Sequence, residues 1–226
     1  MRRRSESRRE HPTSLELTMT QSASRRYAFL VDTYETEILK VLSAWSMFKD
    51  EDLPFRPHST DRRGRSVLEH MVHQSVSENL WFESMLGVSV TSSPLPNEET
   101  RISFVTLYAE NACKRLEQLR TKPDGWWEEE TAFFEVARSR AWVVTRRIAH
   151  TAHHRGQQTA LLRMLNRDLH STYGPTADTG GLMQNKAPVI YAYARMVDLL
   201  DGERGRRQKA RLPGPGERPP TERPDV

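Results

Sequence analysis

Tyr27, Leu30, Tyr34, Ile38, Val41, Trp45 and Phe48 recur at steps of three and four residues. That period gives one continuous apolar face only when the chain is wound as an α-helix. The spacing predicts a first helix over about 24–48, ended by Pro54 and Pro57. A second is predicted from Ser66 to about Gly87, because Ser66 with Glu69 three residues later forms a capping-box signature. Ile102, Val105, Ala109, Ala112, Leu116 and Leu119 mark a third over about 98–120, and a fourth runs over about 136–166. The aromatic stretch "WWEEETAFFEVARSR" carries no regular period and is left without an element.

Four long amphipathic helices without clear strand alternation predict an all-α four-helix bundle. An extra C-terminal helix is expected in "KAPVIYAYARMVDLL", with Pro188 in its first turn. "STYGPTADTGGLMQN" reads as a Gly-rich structural cap on the bundle.

The net charge of +4 raises the question of nucleic acid. Residues 1–20 carry +2 and residues 202–226 carry +3, which leaves about −1 for residues 21–201. The positive charge therefore belongs to two segments without apolar periodicity, read as disordered tails flanking one domain over 21–201. No nucleic-acid partner is expected for that domain. Met19 offers a later start for the chain. No apolar run reaches the roughly 18 residues of a membrane span, and the amino terminus lacks a signal peptide's apolar stretch. The lone Cys113 forms no internal disulfide and fits a cytoplasmic location. It sits beside the third helix's apolar stripe, where an inert packing role is expected.

On the fourth helix the three-four spacing runs Val143, Arg147, His150, His154, Gln157, Leu161, Met164, a stripe that is polar in its middle. His150 and His154 lie one turn apart on one face, and two neutral imidazoles so placed can grip one divalent cation. His153 falls about 60° away, toward the flank. The zinc-protease motif needs Glu directly after the first His, and Thr151 stands there, so that chemistry is excluded. A third ligand must come from another helix. His70 and His73 both qualify on the second helix, and helical projection does not choose between them.

"SVLEHMVHQSVSEN", followed about eighty residues later by "HTAHHRGQ" and "LLRML", resembles the DinB/YfiT-like superfamily of bacterial four-helix bundle proteins. The resemblance covers about residues 24–170. It implies a divalent metal held by His73, His150 and His154, with His73 matched through the run "S-V-x-E-x-x-x-H". It also places Glu78 where the family often has an acidic residue, and Glu78 and Gln157 are the candidates to line a substrate site. Arg155 and Gly156 complete the motif. Arg155 points off the histidine stripe and is expected to hold helices together through a carboxylate. Gly156 is expected where a neighbouring helix or a ligand packs closely.

Three neutral histidines leave a coordination position open, as in catalytic sites. Zinc, nickel and iron all suit such ligands. The resemblance implies a metal-dependent transferase that uses a low-molecular-weight thiol, such as bacillithiol or mycothiol, with a small-molecule substrate. Metal-dependent hydrolysis and a non-catalytic metal-containing stress or binding protein are the alternatives. The resemblance is also compatible with a homodimer. No catalytic side chain beyond the ligands is identified.

Overall fold

A computed structural model describes residues 26–217. The expected N-terminal tail over 1–20, the alternative start at Met19 and the last residues, 218–226, lie outside the described residues. Four long helices dominate: α1 (Ala28–Trp45), α2 (Val67–Ser84), α3 (Arg101–Arg120) and α5 (Arg140–Met164). A short α4 (Asp124–Glu128), a hairpin of β1 (Glu130–Phe133) and β2 (Val136–Ser139), and a terminal α6 (Met196–Glu203) complete the order. The chain is mostly helical, as its periodicity predicts. Among the described residues no helix is long and apolar enough to cross a membrane.

α1 packs on α3 and α5, and α2 packs on the same two helices. The ring order is therefore α1, α3, α2, α5, with α1 and α2 on one diagonal. Tyr34, Ile38, Val41, Leu42 and Trp45 of α1 meet Val67, Met71 and Phe82 of α2 and Phe104, Val105 and Leu116 of α3 in the core. Helix starts are fixed locally. Ser66 Oγ accepts from the Glu69 amide at 3.2 Å while the Ser66 amide donates to Glu69 Oε2 at 2.8 Å. Thr100 and Ser139 cap α3 and α5 from one side only, each side-chain oxygen accepting from the amide three residues on.

The stretch left without an element forms the hairpin, which pairs Glu130 with Ser139 and Phe133 with Val136. Its two-residue loop places Phe134 at φ 52°, a conformation hairpin turns usually assign to Gly or Asn. The fourth helix consequently begins at Arg140, later than the expected 136.

The expected terminal helix over 186–200 is corrected to Met196–Glu203. Residues 187–191 are not helical, and the residue before a proline disfavours the helical region. The Ser171 amide donates to the Ile190 carbonyl at 2.8 Å, and the Ile190 amide donates to Ser171 Oγ at 3.0 Å. Within α6, Gly202 makes room for Tyr193: a Cβ at that position would overlap the phenol ring.

The expected C-terminal tail is also corrected over 202–217. Arg207 pairs with Asp198 at 2.6 Å and Lys209 with Glu203 at 3.1 Å. His170 Nε2 lies 2.7 Å from the Ala210 carbonyl, and the Gly214 amide donates to the Asp178 carbonyl at 3.0 Å. The basic residues of this segment are thus partly spent on the acids of α6.

Candidate metal centre

α2 and α5 adjoin along a seam, and two histidines from α5 face one from α2 across it. His73 Nε2 lies 3.0 Å from His154 Nε2, which lies 3.3 Å from His150 Nε2. The three side chains each offer a nitrogen within 4.8 Å of the others. Nitrogens bound tetrahedrally at ~2.0–2.1 Å from a zinc-sized ion sit roughly 3.3 Å apart, so the donor set fits a divalent cation.

Of the two α2 histidines, His73 joins this group. His70 is buried one turn earlier, its ring 5.6 Å from that of His154, and it stands outside the trio. His153 is exposed on the flank and is also outside.

His154 Nδ1 is 2.7 Å from Gln157 Oε1. With that oxygen as acceptor, Nδ1 carries the proton and Nε2 keeps its lone pair toward the shared point. Gln157 itself is exposed, so it meets the centre from behind a ligand. The stripe expected to point inward drifts for a reason of geometry. Residues 143, 150, 157 and 164 follow a seven-residue repeat, which slips about 20° per heptad on a straight helix. Met164 is accordingly exposed, and the inward face follows Arg147, Thr151, His154, Gln158 and Leu161.

The histidines are kept neutral. Burial, then the charge of Arg147, pushes the His150 pKa down to about 3. Burial pushes His154 down to about 4 and His70 to about 4, and it also lowers His73. The exposed Arg65, just before the α2 N-cap, adds to the lowering at His70, His73 and His154. Trp81 covers one side of His150 with ring centroids 5.4 Å apart, and Phe133 of β1 meets Trp81 edge-on at 5.2 Å. The unforeseen hairpin therefore backs the ring that supports a candidate ligand.

Glu78 lies away from any open surface, fully buried. Tyr34 donates to its Oε1 at 2.7 Å and Tyr108 to its Oε2 at 2.6 Å. Arg115 donates to Oε1 at 3.1 Å, and Arg147 Nε stands 3.4 Å from Oε2. The carboxylate is thus wholly engaged, and its partner Arg147 is also the charge that acts on His150 and His73. Burial and the Glu78 charge push both phenols well above their ordinary pKa, which keeps them as donors. Arg147 and Trp81 were not singled out from the sequence. A charged residue on the inward stripe one turn before His150 was the available signal, since a buried charge demands a partner.

Arg155 is buried and paired with buried Glu37 of α1, the carboxylate contact expected of it. Its guanidinium also lies 4.3 Å over the Tyr173 ring, and Lys40 lies 4.2 Å from the same ring. Gly156 is exposed and a Cβ there would meet open space, so close packing does not explain it. Cys113 is partly buried, and burial together with Glu117 raises its thiol pKa, which disfavours a thiolate.

The DinB family model matches residues 19–181. Among solved structures, the chain resembles a DinB-like protein from Bacillus cereus with a TM-score of 0.58 and 16% identity, over 69% of this chain and 100% of that one. At that identity the likeness is one of fold. No curated protein matches the chain.

Proposed function

The chain belongs to the DinB family, and from that premise we propose that His73, His150 and His154 hold one divalent cation, zinc, nickel or iron, for the activation of a low-molecular-weight thiol that is transferred to a small electrophile. The convergence of three imidazole nitrogens across the α2–α5 seam carries this reading. Such a cation supplies Lewis acidity at a position left open by only three protein ligands, favouring the thiolate over the thiol.

The surrounding residues serve the same end. Gln157 holds His154 in the tautomer whose Nε2 is free to ligate. Trp81 limits the rotation of the His150 ring from one side. Arg65 brings an exposed positive charge to the neighbourhood, which favours an anionic sulfur over a neutral one.

The test is elemental analysis of the native protein, followed by a thiol-conjugation assay with a panel of electrophiles. Stoichiometric metal with turnover that vanishes in His150→Ala supports the proposal. Protein isolated gently without stoichiometric metal overturns it. Metal with ester or amide hydrolysis and no thiol transfer moves the assignment to a hydrolase, and metal without turnover of either class leaves a non-catalytic role.

A further inference from the structure

An unbroken series of ring contacts leads from a candidate ligand to open surface. His150 meets Trp81 with centroids 5.4 Å apart, and Trp81 meets Phe133 at 5.2 Å and Phe134 at 6.2 Å, both edge-on. Phe133 in turn contacts Phe134 and Trp142, each at 4.9 Å. Trp81 is buried among these neighbours and also carries the Arg147 guanidinium 5.6 Å from its ring. The outer members keep free surface: Phe134 is 65% exposed, Val136 49% and Trp142 39%. Val136 pairs with Phe133 across the hairpin, which puts both side chains on one face of it. Arg138 lies 5.4 Å over the Trp142 ring, so that ring is open only in part.

Two features argue that this surface is kept for a ligand. Phe134 holds φ 52° at the turn, where a bulky side chain is strained and Gly would not be. The turn itself argues against Phe, so what the residue contributes is its ring, and strain of this kind gathers at ligand clamps. The second feature is place. Only Trp81 stands between Phe134 and His150, and apolar groups gathered beside a polar site mark a binding surface where scattered ones do not. The hairpin's ionisable groups, Glu130, Glu135 and Arg138, are exposed and of both signs, so the patch sets no charge requirement of its own.

A low-molecular-weight thiol is mostly polar and has little apolar surface to bury, so the patch suits the other reactant. We propose that the electrophile is an uncharged aromatic compound whose ring rests against Phe134, Val136 and Trp142 while its reacting carbon reaches the histidine centre. This rests on the thiol-transfer reading above. With an aromatic epoxide the sulfur bonds to an epoxide carbon as that carbon's bond to oxygen breaks. The oxygen keeps the electron pair and takes up the proton the thiol gave, so no further reactant is needed.

The metal-loaded protein is assayed with cysteine, bacillithiol and mycothiol against styrene oxide and propylene oxide, which differ by a phenyl in place of a methyl group. Styrene oxide is expected to be preferred in kcat/KM by about ten-fold beyond its uncatalysed advantage, and Phe134→Gly, which relieves the turn, to reduce that preference about five-fold. Independently of turnover, the unreactive styrene glycol and propylene glycol are titrated into the protein before and after metal stripping. Only styrene glycol is expected to shift the backbone amides of residues 130–142 saturably, and Phe134→Gly to weaken it about five-fold. Glycol binding there without turnover of either epoxide overturns the thiol reading and supports an aromatic substrate at the hairpin. Turnover whose preference Phe134→Gly leaves unchanged, or that comes without amide shifts at the hairpin, overturns the inference and leaves the thiol reading standing. Neither binding nor turnover overturns both. A dimer that Phe134→Gly converts to a monomer in sedimentation assigns the patch to a second copy of the chain and overturns the inference as well.

Discussion

His73 on α2 and His154 on α5 face each other Nε2 to Nε2 at 3.0 Å, although they are 81 residues apart in the chain. That approach divides the histidines of the seam into those whose nitrogens converge and those that only pack nearby. His73→Ala, His150→Ala and His154→Ala are each expected to lose stoichiometric metal while keeping helical circular dichroism. His70→Ala and His153→Ala are expected to retain it. Metal analysis by mass spectrometry checks this, and loss of metal in His70→Ala with retention in His73→Ala would reverse the ligand assignment.

Gln157 touches only the far nitrogen of His154. Partners of that kind orient a ligand and raise its basicity, and their removal commonly costs about 10–100-fold in metal affinity. Gln157→Leu is expected to show a loss of that size in a chelator competition assay, with the same stoichiometry at saturation. An affinity equal to that of the wild type would mean that the contact does no work.

Acid should weaken the metal-free protein over a defined window. The folded-state pKa values of His150, His154 and His70 lie near 3, 4 and 4, against about 6.5 in the unfolded chain. Below about 6.5 the unfolded state takes up protons that the folded state refuses, so stability is full above that pH and falls as pH drops toward 4. Urea midpoints between pH 7.5 and 4.5 measure it. Carboxylates titrate lower, so a decline between 6.5 and 5 reports the histidines, and it should shrink when His70, His150 and His154 are replaced by Ala, with His73 and His170 still contributing.

Glu78 answers two buried arginines at once. Glu78→Ala leaves Arg115 and Arg147 without it and is expected to cost about 3–5 kcal/mol in urea unfolding. A loss below about 1 kcal/mol would show that the cluster rearranges freely.

Replacing a helical glycine by alanine usually gains about 1 kcal/mol. Gly202→Ala is expected to reverse that sign, because the added methyl overlaps Tyr193, at a cost of about 1–3 kcal/mol. A raised thermal midpoint would contradict the packing.

The helices were legible because their apolar residues repeat at three and four over several turns, and the α2 start because Ser66 and Glu69 cap it within one local segment. The hairpin was not, since its turn is Phe134–Glu135 and carries none of the Gly or Asn that marks such a bend. The extent of α6 was misread because Tyr191 and Tyr193 suit a helical stripe equally well. Their actual places depend on Tyr173 and Glu203, contacts made through tertiary structure. Projection could not separate His70 from His73, as α2 buries a broad face that includes His70, Gln74 and Glu78. What distinguishes them is the register of α2 against α5, which one helix alone does not contain.

His154 and Arg155 are neighbours on α5, yet one faces the histidine trio and the other grips Glu37 and Tyr173 on the α1 side. A turn of that helix about its own axis cannot adjust one contact and spare the other. The alignment of the imidazole nitrogens is therefore tied, through one helix, to the ion pair and ring contact that Arg155 makes with Glu37 and Tyr173.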